Sequence, residues 1–276
     1  MNKVSKILSV SILLATTLLA NDESVIKFEK NRISQNPNVK VEDIKINTKK
    51  ALPLDGWNGY ILDVKANVGG KNINAKDIVF SNGKYIALDL IDSSNGKSLK
   101  DLVTPNVTSK YYDKSKLIAG THDAKDKIVV FSDPLCPFCM DYIPDVIKHV
   151  NKNSDSIALY YYHFPLLRLH PAAGPLSKIM DVAKHKGMKN IELKVYEADW
   201  DKYFTSKTTD EKKILEGFNK EFKTDIKLSE IQDKKVQSLI DSDIKMGEDV
   251  MVQGTPTIFV NGVKDAMKVK YLELGK

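Results

Sequence analysis

Two cysteines, three positions apart, are the most chemically distinctive feature of this 276-residue sequence. Cys136 and Cys139 are its only cysteines, and they stand between the apolar run 128–131 and a helical pattern. A strand that ends in Cys-x-x-Cys at the start of a helix is typical of dithiol–disulfide chemistry. The attacking species is a thiolate, and a helix N-terminus favours negative charge. We therefore predict that Cys136 is the exposed nucleophile and Cys139 the more buried resolving thiol.

The residues around the pair predict how it is tuned. Pro137 fits the first helical turn, where its missing N–H has little consequence. Phe138 cannot supply the positive charge that a histidine would supply at this position, so we expect a less strongly oxidising pair than Cys-Pro-His-Cys. Asp133 allows two interpretations: a buried carboxylate that shuttles a proton to Cys139, or a loop residue that caps the helix. The sequence slightly favours the second.

The elements around the pair predict an α/β thioredoxin fold over residues 125–276. A buried strand precedes the cysteines, a helix that contains Pro144 follows them, and a second buried strand is expected at 156–163. Helical patterns fill about 171–250, and a strand with a hairpin turn follows at 254–262. This order is that of a thioredoxin core with a helical insertion.

Thr255 and Pro256 form the second predicted part of the site. In proteins generally, an X–Pro bond is cis in only about 5–6% of cases. In a thioredoxin core, however, the proline before the third strand lies beside the nucleophile and is cis. We therefore predict a cis bond that exposes the Thr255 backbone to an extended substrate chain, which would bind like an added strand. A plain turn proline is the alternative interpretation.

Residues 21–105 predict a separate α+β unit. A short amphipathic helix is followed by strand patterns, and Asn82-Gly83 between two β-rich runs predicts a hairpin whose two central residues have positive φ. The unit contains no cluster of histidines, cysteines or acids with the spacing of metal ligands. We expect an N-terminal dimerisation or scaffold domain, joined to the catalytic domain by a linker at 106–124 in which Tyr111 docks onto that domain.

The first 20 residues predict a signal peptide. Lys3 and Lys6 precede an apolar segment at 7–19 that is short for a membrane span; a retained amphipathic anchor is the alternative. Loss of the two lysines lowers the formal net charge from +6 to +4. Lysines are spread along the chain and mixed with acids, so no nucleic-acid partner is expected. We expect a periplasmic protein that keeps its two cysteines for redox chemistry.

The stretch 131–139, Phe-Ser-Asp-Pro-Leu-Cys-Pro-Phe-Cys, closely resembles the active-site segment of the bacterial periplasmic Dsb proteins, especially the dimeric DsbC/DsbG group. Residues 254–256 are similar to their cis-proline loop, whereas 163–173 is more similar to the monomeric DsbA branch. The resemblance implies a V-shaped homodimer with facing active sites that acts on unfolded or misoxidised secreted proteins. It implies no cofactor beyond the redox-active disulfide. It also implies a membrane redox partner, DsbB-like for an oxidase or DsbD-like for an isomerase.

These mixed features leave the direction of the reaction open among oxidase, isomerase and reductase, including a reductase that protects single cysteines. Metal binding is a rival interpretation, in which Cys136, Cys139, Met140 and a histidine hold copper or zinc. A zinc site usually has four ligands, and a second cysteine pair is missing. We expect His163 and His170 to be satisfied or solvent-facing instead. A structural disulfide in a non-enzymatic binding or chaperone protein is the remaining alternative.

Overall fold

The structure, a computed structural model, describes residues 22–275. Its contacts divide the chain into two compact units, of which the first ends at Thr104 and the second begins at Pro105. The predicted signal peptide, residues 1–20, lies outside the described residues. Within the described range, no helix is both long enough and apolar enough to cross a membrane.

The first unit is a helix packed on an antiparallel sheet. Its main elements are α1 (residues 22–34), β1 (Val39–Ala51), β2 (Asn58–Val68), β3 (Lys71–Ser81) and β4 (Ile86–Ala87), and a small hairpin, β5 (Ile91–Asp92) and β6 (Lys97–Ser98), leads to α2 (Lys100–Val103). The sheet order is β1-β2-β3-β4. Val25 of α1 packs with Tyr60, Leu62 and Val64, which alternate along β2 as the two-residue period of a strand requires. The predicted α+β unit is therefore present.

The hairpin between β3 and β4 lies where Asn82-Gly83 predicts it, but the turn differs from the prediction. Of its two central residues only Gly83 has positive φ, at 86°. The Asn82 side chain instead accepts hydrogen bonds from the backbone N–H groups of Lys84 and Tyr85. An asparagine that closes the turn with its own side chain removes the need for a second left-handed residue.

The second unit is a sheet with helices inserted between its strands. Its strands are β7 (Leu117–Gly120), β8 (Asp126–Ser132), β9 (Ile157–His163), β10 (Thr257–Val260) and β11 (Val263–Lys264), and its helices are α3 (Pro137–Lys152), α4 (Ala173–His185), α5 (Ile191–Glu197), α6 (Glu211–Phe222), α7 (Leu228–Ile231) and α8 (Lys234–Asp249). The sheet order is β11-β10-β8-β9-β7, with β8 and β9 parallel and joined through α3. The other pairs are antiparallel. This is the predicted thioredoxin core with inserted helices.

The segment predicted as a linker at 106–124 is instead part of the second unit. Tyr111 is buried, as the predicted docking requires, and its hydroxyl donates to the backbone oxygen of Met246. β7 pairs with β9 in the main sheet. The strand signal of β7 is weak because the strand has only four residues, of which three pair with β9, and because lysines and aspartates flank it.

β8 and β9 are buried on both faces and separate two cores. Phe131, Tyr160 and Tyr162 belong to one core, whereas Val130 and Tyr161 belong to the core that contains both cysteines and the buried face of α3. Side chains alternate between the faces of a strand, so Tyr161 lies on the cysteine side and its two tyrosine neighbours do not. The inserted helix α5 also contacts α3 and brings a further tyrosine, Tyr196, into this core.

Candidate active site

The cysteine pair lies at the N-terminus of α3. Cys136 is the N-cap residue with extended backbone angles, Pro137 is the first helical residue, and the backbone N–H of Cys139 donates to the Cys136 carbonyl oxygen at 2.9 Å. Cys136 is 4% exposed and Cys139 is fully buried. The predicted order of exposure is therefore found, but Cys136 is not an exposed side chain. It is covered because the loop that contains Thr255 lies against its sulfur, with the Thr255 carbonyl oxygen 3.5 Å from Sγ.

The pKa values of the two thiols shift in opposite directions. The pKa of Cys136 is lowered from 9.0 to about 5, chiefly because the Cys139 side chain hydrogen bonds to its sulfur. Burial opposes this shift, whereas the Thr255 side chain and the backbone N–H groups of Cys139 and Phe138 add to it. Burial, the largest cause, raises the pKa of Cys139 well above 9.0, and the hydrogen bond to Cys136 raises it further. At neutral pH the site therefore holds one thiolate beside one protonated thiol.

The contribution predicted from the helix N-terminus is present in these backbone N–H groups, but it is smaller than that of the neighbouring thiol. The Phe138 side chain is 73% exposed, and only its backbone N–H takes part in the pKa shift. Pro137 occupies the first helical position. A backbone N–H at this position has no acceptor within the helix, so a proline there loses no helical hydrogen bond. The low pKa of Cys136 thus arises without a charged residue between the cysteines.

The Thr255–Pro256 peptide bond is cis, as predicted. The Thr255 hydroxyl is buried, and no conventional hydrogen-bond partner for it lies among residues 22–275. The Thr255 side chain lowers the pKa of both thiols. A groove follows this loop and is lined by Met251, Gln253, Thr257, Lys264, Asp265 and Lys268. The structure therefore brings together the two cysteines and the two residues of the predicted proline loop.

Asp133 is fully buried; the structure contradicts its predicted capping role, and its role as a proton shuttle to Cys139 stays a prediction. One carboxylate oxygen accepts from the Leu135 N–H at 2.8 Å, and the other accepts from the Leu166 N–H at 2.8 Å and lies 2.9 Å from His170 Nδ1. No side chain caps α3, so the capping interpretation is wrong. The carboxylate instead holds the loop before Cys136 against the segment that follows β9.

Sequence reasoning missed three hydroxyl groups behind Cys139. The Ser132 side chain lowers the pKa of the Cys139 thiol. The Ser132 Oγ and Tyr196 Oη atoms are 2.7 Å apart, and Tyr196 Oη is 2.7 Å from Tyr161 Oη. The alternation of β9 could have placed Tyr161 on the cysteine side, but no local signal connects it to Tyr196 on an inserted helix.

The expectation that both histidines are satisfied or solvent-facing holds for His170 but not for His163, whose buried ring nitrogen Nδ1 has no hydrogen-bond partner among residues 22–275. His170 bonds to Asp133, and the backbone N–H of His163 donates to Asp243. Burial lowers the pKa of the His163 ring well below 6.5, so the ring is neutral. Among the residues that the structure describes, no group of three or more histidines, cysteines and acids has the arrangement of a metal site.

Three solved structures are similar to part of this chain. A thioredoxin-like oxidoreductase from Silicibacter pomeroyi is 15% identical with a TM-score of 0.46, over 57% of this chain and 87% of that one. ScsC from Proteus mirabilis is 17% identical with a TM-score of 0.46, over 60% and 72%. DsbA2 from Pseudomonas aeruginosa is 18% identical with a TM-score of 0.42, over 57% and 93%.

A curated relative, the Na⁺/H⁺ antiporter NhaA 1 from Mycolicibacterium vanbaalenii, is 26% identical over 176 residues, which are 58% of this chain. The match spans only 26% of the antiporter's length. The family model described as thioredoxin matches residues 113–276, which is more than half of the chain and includes both cysteines and the proline loop. The chain therefore belongs to the thioredoxin family.

Proposed function

We propose that this protein is a Dsb-type thiol–disulfide oxidoreductase that forms or isomerises disulfide bonds in exported proteins. The observation that carries the proposal is the split pair of thiols: Cys136 ionised at neutral pH, Cys139 protonated and buried, both beside a cis-proline loop. A reactive cysteine needs a lowered pKa and a resolving partner within reach. The CPFC pair has both.

Disulfide formation would proceed in two exchanges. A client thiolate attacks the Cys136 sulfur of the oxidised pair, the Cys136–Cys139 bond breaks, and Cys139 leaves as a thiolate. A second client thiolate then attacks the client sulfur of the mixed disulfide, and Cys136 leaves as a thiolate. The client gains one disulfide and loses two electrons, which the cysteine pair takes up. In isomerisation, the reduced Cys136 attacks a wrong disulfide, and a client thiolate later displaces it.

The size of the Cys136 pKa shift favours the steps in which this sulfur leaves. A decrease from 9.0 to about 5 raises the thiolate fraction at pH 7 by about 100-fold. Nucleophilicity falls with pKa with a slope of about 0.4–0.5, which over these four units removes roughly 40- to 100-fold. The two effects on attack nearly cancel, whereas a thiol of lower pKa is a better leaving group. We therefore favour disulfide formation or isomerisation over a dedicated reductase.

The client would lie along the groove beside Pro256. An extended chain that pairs with the backbone of the cis-proline loop would bring its sulfur to Cys136, which the Thr255 carbonyl oxygen already contacts. The export signal predicted at 1–20 supports a periplasmic location and clients that are themselves exported. A DsbB-like or DsbD-like membrane protein would then restore the pair after each cycle.

We also propose that the N-terminal unit forms the homodimer that the Dsb resemblance implies. β1 supports this because it lies at the edge of its sheet and is 13 residues long, with one neighbour in the described sheet. Sedimentation equilibrium of the full exported chain tests the idea. A chain that remains monomeric at micromolar concentrations would exclude the facing pair of active sites.

Refolding of reduced and of scrambled ribonuclease tests the proposed function. The oxidised wild type should transfer one disulfide per chain to the reduced substrate, and the reduced wild type should unscramble the other. Cys136→Ala should abolish both reactions, whereas Asp141→Ala, an exposed position on α3, should leave both intact. Activity that survives Cys136→Ala would refute the proposal. Thiol trapping in cells then separates an oxidase, whose pair is oxidised, from an isomerase or reductase, whose pair is reduced.

A further inference from the structure

Three buried hydroxyl groups form a continuous chain that ends at Cys139. Ser132 closes β8, Tyr161 lies on the facing side of β9, and Tyr196 comes from the inserted helix α5. The Tyr161–Tyr196 and Tyr196–Ser132 oxygen distances are both 2.7 Å, and Cys139, whose pKa the Ser132 side chain lowers, lies in the same buried cluster as the two tyrosines. All three side chains are buried. Each of the three oxygens therefore lies within hydrogen-bond distance of another buried oxygen.

Donor counting fixes the direction of this chain when Cys139 is ionised. A thiolate accepts hydrogen bonds but cannot donate, so the single proton of Ser132 points at the sulfur. Ser132 then accepts from Tyr196, whose own proton is used, and Tyr196 accepts from Tyr161. The three O–H bonds align head to tail toward the charge. Aligned hydrogen bonds in a low-dielectric interior polarise and strengthen one another.

Other titratable groups around Cys139 do not offer the same support. The carboxylate of Asp133 is committed to the loop and to His170, and that of Glu192 lies 3.5 Å from Lys184 Nζ. Further groups that face the site are neutral by burial or belong to the redox pair: His163, the two tyrosines and Cys136. The backbone of Asp133 and the Thr255 side chain also lower the pKa of Cys139, but neither is part of a relay.

We propose that Tyr161, Tyr196 and Ser132 form a donor chain that stabilises the thiolate of Cys139 whenever the Cys136–Cys139 disulfide opens or closes. The inference rests on the proposed function, in which that bond breaks and forms in every cycle. When a client thiolate attacks Cys136, the electron pair of the broken S–S bond moves to the Cys139 sulfur. The donor chain stabilises this charge on the sulfur until a proton from solvent protonates Cys139. Tyr161 and Tyr196 are positioning residues, since they act on the Cys139 sulfur only through Ser132.

A two-phase reaction of the reduced full-length protein with excess dithiobis(nitrobenzoate) isolates the step. In the first phase Cys136 forms a mixed disulfide and releases one nitrothiobenzoate. In the second phase Cys139 attacks the Cys136 sulfur and releases the other, at a rate that does not depend on reagent concentration. The variants are Tyr196→Phe, Tyr161→Phe and Ser132→Ala. The matched control is Tyr162→Phe, which also removes a buried hydroxyl, one that bonds to the Tyr111 carbonyl oxygen on the other face of the sheet.

If the donor chain acts as proposed, Tyr196→Phe and Ser132→Ala should slow the second phase by roughly tenfold. Tyr161→Phe should have a smaller effect, because Tyr161 is the member of the donor chain farthest from Cys139. The pH needed to reach a given second-phase rate should rise by about one unit, and the first phase should not change. Tyr162→Phe should change neither phase. A second phase that is unchanged in Tyr196→Phe, or equally slow in Tyr162→Phe, would overturn the inference. A wild type that closes its disulfide in this assay but transfers none to ribonuclease would refute the proposed function alone.

Discussion

Removal of the Cys139 thiol should raise the pKa of Cys136. The hydrogen bond from Cys139 is the largest cause of the decrease from 9.0 to about 5. A hydrogen bond to a charged group contributes about 1.5–3 kcal/mol, and one pKa unit corresponds to about 1.36 kcal/mol. Cys139→Ala should therefore raise the pKa by about one to two units. At pH 6 the thiolate fraction of Cys136 should fall from about 90% to between roughly 10% and 50%.

The assay is the ultraviolet absorbance of the thiolate, or the rate of alkylation by iodoacetamide, measured against pH. Phe138→Ala is the control because its exposed side chain is lost while its backbone N–H remains. A Cys136 pKa near 5 in Cys139→Ala would refute the reasoning, because the helix end and Thr255 would then account for the whole shift.

The same shift has a consequence for stability. The folded pKa of Cys136 lies below its ordinary value of 9.0, so the thiolate stabilises the reduced protein. This contribution is fully present above pH 9 and is lost as the pH falls through about 5. The reduced wild type should therefore lose more stability than Cys139→Ala when the pH decreases across this window. Urea unfolding of both reduced proteins measures the difference.

Three further predictions concern the surroundings of the pair. Phe138→His should lower the pKa of the nucleophilic thiol by up to about one unit, because a protonated imidazole adds positive charge beside it, and thiolate absorbance measures the change. Asp133→Ala should destabilise the protein by about 2–4 kcal/mol in urea unfolding, because the buried N–H of Leu135 and the partly buried N–H of Leu166 lose their acceptor. Gly120→Ala should lower the free energy of urea unfolding by more than about 3 kcal/mol. The reason is that φ is +75° and that an added Cβ would collide with a β9 carbonyl.

Each of these predictions has a result that would contradict it. If the pKa of Cys136 does not decrease in Phe138→His, a positive charge at this position does not stabilise the Cys136 thiolate. Asp141→Ala, exposed on α3, should change stability by less than about 0.5 kcal/mol; an Asp133→Ala effect of that size would mean that the loop finds other acceptors. Gly187 has φ +90° and open space around it, so Gly187→Ala measures the cost of positive φ without a collision. If both substitutions lower the free energy of unfolding equally, the collision at Gly120 is excluded.

Local signals were enough to predict the central part of the fold and the site. An apolar run, Pro137 after the first cysteine and a turn before Thr255-Pro256 predict β8, α3 and the proline loop, and the structure has all of them. These signals depend on neighbours in sequence. The sequence predicts a linker where β7 lies, because this segment becomes a strand only through pairing with β9, about forty residues later.

The parts of the site that could not be predicted depend on contacts between distant residues. Asp133 bonds to His170, 37 positions away, and this contact holds its carboxylate against the segment after β9 and away from the N-terminus of α3. Ser132 meets Tyr196 across 64 positions. A sequence pattern indicates which face a residue occupies, but not which polar partner the tertiary fold brings to it.

Trapping of mixed disulfides tests the central claim most directly. Full-length Cys139→Ala and Cys136→Ala, each with a single thiol, are incubated with scrambled ribonuclease and separated on non-reducing gels. The account predicts that Cys139→Ala, which keeps the reactive Cys136, accumulates a mixed disulfide with the client that a reductant reverses, and that Cys136→Ala forms almost none. Equal trapping by both variants, or trapping through Cys139 alone, would contradict the assignment of Cys136 as the nucleophile.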